Sequence, residues 1–119
     1  MKLADVSLLV AMSDAMHTQH ALADRWRKEN EFATCPITEL GLVRVLMATG
    51  TEAEDAFAQL ASVKKKAGFV PCDAPGSVIA GKVTGHKQTT DAYLLELARL
   101  HKSTLHTLDA GIKGAVLVS

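Results

Sequence analysis

Cysteine is scarce in this chain: Cys35 and Cys72 are the only two, and no C-x-x-C spacing joins them, so neither a thiolate zinc site nor a disulfide framework is expected. No stretch approaches the eighteen or so consecutive apolar residues that a membrane span requires. Asp5 interrupts the start where a secretion signal would run apolar, which predicts a protein of the cytoplasm with no membrane partner. Excess charge is missing as well. Lys plus Arg number 13 and Asp plus Glu number 13, so no global field draws the chain onto a phosphate backbone. Neutrality leaves phosphate chemistry open, because bound divalent cations supply positive charge locally.

What is present is enough apolar material for one core. With 48% hydrophobic residues in 119, the chain predicts a single domain spanning 1–119. Leu3 to Val10 is apolar apart from Asp5 and Ser7 and reads as a short buried strand running into a helical turn. A carboxylate inside an apolar run is costly to bury, so Asp5 is expected at the strand's end, paired or bound to metal. His17 to Lys28 predicts a helix, with Ser13 and Asp14 as cap candidates. His17 and His20 share a face of it without a third adjacent ligand, the ordinary pattern of solvated histidines.

Phe32 to Ile37 predicts a second strand, after which Thr38 caps a helix from Glu39 to about Ala48, closed by Gly50. Thr51 to Lys66 carries the clearest helix pattern. Thr51 and Glu54 match a capping box, Lys64, Lys65 and Lys66 fall where the helix dipole favours cations, and Ala53, Ala56, Phe57, Leu60 and Ala61 follow one face. Gly68 to Cys72 predicts a third strand, followed by a loop punctuated by Pro75, Gly76, Gly81 and Gly85, the segment best suited to face a substrate. Thr89 to His101 predicts a largely buried helix with Asp91 in its first turn. Strands over Thr104–Leu108 and Ala115–Val118 complete an alternation of strands and helices that predicts a mainly parallel α/β sheet.

Four acids stand out by placement. Asp5 and Asp109 flank strands, while Glu39 and Asp91 open helices. For a carboxylate in a first helical turn the dipole alone is a sufficient account. In an open α/β sheet, however, strand carboxyl ends and following helix amino ends share one edge, where ligands bind. Carboxylates meeting there repel one another unless cations neutralise them, and hard divalent ions such as Mg2+ or Mn2+ prefer such oxygen ligands. That chemistry suits phosphodiester hydrolysis.

The order of motifs resembles the PIN-domain superfamily, in particular the VapC-like toxins of bacterial toxin–antitoxin modules. The resemblance rests on Asp5-Val6-Ser7, on Thr34-Cys35-Pro36-Ile37-Thr38-Glu39 followed by Arg44, on Thr90-Asp91-Ala92-Tyr93-Leu94, and on Thr107-Leu108-Asp109. It spans almost the whole chain. It implies a three-layer α/β/α fold with a short, mainly parallel central sheet, and an Mg2+- or Mn2+-dependent ribonuclease whose metal is held by Asp5, Glu39, Asp91 and Asp109. Thr107 and Ser7 would be supporting hydroxyls, Ser7 standing where many such toxins carry asparagine. An antitoxin partner and a homodimer are implied too. Arg44 is expected to pair with an acidic neighbour, or to contact RNA or antitoxin. The rival readings are a nuclease of RNA processing outside any toxin module, and a noncatalytic RNA- or partner-binding module on the same fold.

Overall fold

The computed structural model describes residues 1–119. Five short parallel strands form one sheet in the order β3-β2-β1-β4-β5. They are β1 (Lys2–Ala4), β2 (Phe32–Thr34), β3 (Gly68–Phe69), β4 (Leu105–Thr107) and β5 (Val116–Leu117). Between them run α1 (Val6–Ser13), α2 (His20–Glu29), α3 (Pro36–Ala48), α4 (Ala53–Lys64) and α5 (Thr89–Leu100).

Side-chain alternation along the strands splits the core into two halves, as a sheet covered on both faces requires. Ala4 and Phe32 join Leu8, Leu9, Leu42 and Val63 beneath α1 to α4. Leu3, Ala33 and Leu105 join Leu94, Leu97 and Ala98 of α5 on the opposite face. The result is the expected three-layer α/β fold. Each fully buried leucine contributes roughly 1.5–3 kcal/mol relative to leaving it in water.

Several local expectations change in the folded chain. The apolar run of residues 3–10 holds only a three-residue strand before Asp5 turns it into the two-turn helix α1. A short apolar run carries no period that separates strand from helix. Ser13 and Asp14 end α1 instead of starting α2, whose N-cap is Gln19 with no side-chain bond. Cys35, not Thr38, is the N-cap of α3, and Thr38 closes the turn from inside by accepting the Cys35 N–H at 3.1 Å. The Thr51–Glu54 box does not form, since α4 starts after Glu52. Its buried residues are Ala56 and Val63, while Phe57 stays 53% exposed. Helix α5 is less buried than its composition suggests: only Leu94, Leu97 and Ala98 are fully inside. Gly50 follows α3 with φ +108°, the left-handed conformation in which a glycine terminates a helix without steric cost.

Gly41 sets the distance between α3 and α1. A Cβ at this position would overlap Val6 Cγ2 and stand 3.3 Å from Val6 Cγ1. Alanine would improve helix propensity by about 1 kcal/mol, but forcing a methyl against a β-branched neighbour costs about 1–3 kcal/mol. Gly41→Ala is therefore expected to lower the unfolding midpoint in a thermal melt, and Val6→Ala in the same chain to restore it. A single variant as stable as the parent would show that the helices move apart freely.

Candidate active site

The strand order reverses at β1. From there the chain builds β2 and β3 on one side and later adds β4 and β5 on the other. Such a switch point leaves a crevice beyond the strand carboxyl ends. Asp5 follows the last residue of β1, and Thr107 is the last residue of β4; the Asp5 N–H bonds to His106 O at 3.0 Å, holding the two strand ends together.

Asp5 is 5% exposed, and its burial is compensated bond by bond. Oδ1 accepts the Ser7 hydroxyl at 2.7 Å and the Leu8 N–H at 3.2 Å, while Oδ2 accepts the Thr107 hydroxyl at 2.5 Å. The carboxylate thereby caps α1 as well. Each hydroxyl then spends its lone pairs on the next segment: Ser7 Oγ accepts the Leu108 N–H at 3.1 Å and Thr107 Oγ1 accepts the Asp109 N–H at 2.9 Å. Each hydroxyl has one proton and donates it to Asp5, an arrangement matched by an acceptor-only carboxylate. Asp109 is exposed, with its Oδ1 accepting the Gly111 N–H at 2.8 Å.

Asp91 sits in the first turn of α5. Burial first, then the charges of Asp5 and Asp109, hold its carboxyl above the usual carboxylate range. Asp91 on α5 is thus within electrostatic reach of Asp5, which follows β1, and of Asp109 in the turn after β4. Glu39, in the first turn of α3, takes a separate place. Its Oε2 accepts the Thr34 hydroxyl at 2.7 Å at the end of β2, and Lys64 lies 3.4 Å from Oε1. Sequence reading assigned neither Thr34 nor Lys64 to Glu39: Thr34 stands in the same motif five residues away, whereas Lys64, 25 positions on, has no local signal.

No three of the chain's His, Cys, Asp and Glu side chains are gathered into a closed cage for a metal. The donors nevertheless fit a hard divalent ion. Mg2+ needs only one or two carboxylates and retains several waters, and mutually repelling carboxylates are the groups a cation would relieve.

Arg44 is exposed and makes no ion pair. Both cysteines are free, Cys35 buried and Cys72 exposed. His106, 6% exposed and tilted against the Trp26 ring, is pushed by burial and then by the Lys2 charge below the ordinary histidine range.

The sequence matches the PIN domain family model over residues 2–115. It is 41% identical over 117 residues to Ribonuclease VapC29 of Mycobacterium tuberculosis, an alignment covering 92% of this chain and 86% of the relative. With Ribonuclease VapC39 of the same organism the identity is 37% over 126 residues, covering 92% and 89%. Among solved structures, VapBC2 from Rickettsia felis, crystallised on a DNA fragment from its promoter, superposes with a TM-score of 0.67 at 14% identity, over 98% of this chain and 96% of that one. PAE2754 from Pyrobaculum aerophilum gives 0.65 at 21% identity, covering 98% and 83%. At such identities the structural likeness speaks for the fold, and descent rests on the sequence matches: the chain belongs to the PIN-domain family, with VapC ribonucleases among its relatives.

Proposed function

We propose that this chain is a ribonuclease, one nuclease domain over residues 1–119, and the toxin of a toxin–antitoxin module. The observation that carries the reading is the buried Asp5 carboxylate at the sheet's switch point, held by the Ser7 and Thr107 hydroxyls and within electrostatic reach of Asp91. The VapC names of the relatives and the VapBC neighbour support the same assignment.

In this reading Asp5 and Asp91 hold Mg2+ or Mn2+, with Asp109 and Glu39 completing the acidic rim. An ion held there would supply positive charge for the phosphate and make a bound water more acidic. The chain's own part is placement. Ser7 and Thr107 fix both oxygens of Asp5, so one ligand is held rigidly by the hydroxyls behind it. Thr34 and Lys64 fix Glu39 in the same manner. Asp91 rides on α5 and Asp5 on the turn from β1 to α1, so the two carboxylates are supplied by different layers of the fold.

An antitoxin partner and a homodimer belong to the same reading. Leu40 and Met47 on α3 and Phe57 on α4 are all exposed apolar side chains that offer area for protein contact.

The test is cleavage of single-stranded RNA by the purified protein. Hydrolysis is expected with Mg2+ or Mn2+, loss on chelation, and recovery on adding the ion back. Cleavage that persists after exhaustive chelation would remove the metal from the reading, and no cleavage with either ion would remove the nuclease.

A further inference from the structure

Asp91 has a second neighbourhood. It lines an open cleft of about 450 Å³, whose other walls include Ala92, Leu95, Ile112, Lys82, Lys87 and Lys113. In a chain with no net charge, three lysines and a single acid at one cleft are a local excess. Lys82 is engaged with Glu96 at 2.5 Å. Lys87 and Lys113 are exposed and enter no ion pair. They approach from different segments, Lys87 from the 3₁₀ turn His86–Gln88 before α5 and Lys113 from the turn after β4.

We propose that this cleft seats one unpaired nucleotide next to the bond being cut, its phosphate held by Lys87 and Lys113 and its base against Ala92, Leu95 and Ile112. The proposal rests on the ribonuclease reading and names the subsite that reading lacks. Volume and chemistry agree: the cleft falls in the range of small-molecule pockets, with an apolar wall for a base face and free cations for a phosphate. A base must leave its stack to enter, so single-stranded RNA is the form admitted. Asp91 belongs both to this cleft and to the acidic edge, which places the seated nucleotide beside the reacting phosphate.

The decisive comparison sets Lys87→Ala/Lys113→Ala against a control of equal charge change, Lys65→Ala/Lys66→Ala, whose lysines lie beyond α4 on another surface. The cleft variant is expected to raise KM for single-stranded RNA on the order of tenfold, with kcat within about twofold. Binding is read in the Asp5→Asn background, where the RNA stays whole. There the log–log salt slope should flatten by about 0.7, the value for one phosphate contact on a single strand, and the control should leave it unchanged. An RNA abasic at the nucleotide beside the cut should show a raised KM with the parent protein and no further rise with Leu95→Ala. Equal effects of the two lysine pairs would overturn the proposal, as would an abasic RNA handled like the intact one. A parent protein that cuts no RNA at all would instead overturn the ribonuclease reading, and the salt slopes would still decide whether the cleft holds a phosphate.

Discussion

Asp5→Asn is expected to lower RNA cleavage by on the order of a hundred- to a thousandfold, the scale of removing one group that stabilises developing charge, while leaving the fold in place. The separation of the two effects follows from the bonding. Asparagine retains an oxygen for the Leu8 N–H that Asp5 Oδ1 accepts at 3.2 Å, and Asn and Asp cap helices about equally well, so α1 stays capped. The Thr107 hydroxyl, deprived of its acceptor, rotates to accept from the new amide. What disappears is the negative charge. Asp91→Asn should lose activity on the same scale and, without metal at neutral pH, be no less stable than the parent. Burial and the Asp5 and Asp109 charges disfavour its ionised form in the folded chain, so a neutral isostere relieves a cost. Cleavage rates and thermal melts of both variants check this; parental rates in both would dismantle the site.

Thr107→Val gives the second large effect, and here stability and activity fall together. The hydroxyl donates to Asp5 Oδ2 at 2.5 Å and accepts the Asp109 N–H at 2.9 Å, and Thr107 is 1% exposed. Valine matches the shape and leaves a buried carboxylate oxygen without a donor, at a cost of about 1–3 kcal/mol. Loss of such a supporting partner typically lowers metal affinity or activity by roughly 10- to 100-fold. Thr107→Ser keeps the hydroxyl and should recover most of both. Urea unfolding alongside kcat measurements makes the comparison, and a valine variant with parental stability would mean that water replaces the hydroxyl.

Much of the architecture was legible because the sequence writes it locally. Alternating strand and helix patterns imply a parallel sheet, and the acids at strand ends and helix starts fall on one edge of any such sheet. Asp5, Asp91 and Asp109 stood out in the sequence for that reason. The misreadings share a cause. The strand running into a helical turn over residues 3–10 is there, but the turn extends into the eight-residue α1, whose length an apolar run this short does not show. Phe57 follows a helical face in sequence but lies outside the core because α4 presents Ala56 and Val63 inward, a rotation set by packing partners. Glu39 has an ordinary account as a first-turn acid. Its bond to Thr34 lies within the Thr34–Glu39 motif, but its pairing with Lys64 depends on the end of α4 reaching α3, which no local window contains.

The bond between Thr107 and Asp5 closes across 102 positions of the chain, and β4 pairs directly with β1. Contacts so distant in sequence are slow to form, because loop closure precedes their reward. During translation, therefore, the amino-terminal acid waits without its hydroxyl until nearly everything else has been synthesised. A chain that stops short of Thr107 lacks the donor that Asp5 Oδ2 accepts in the complete fold.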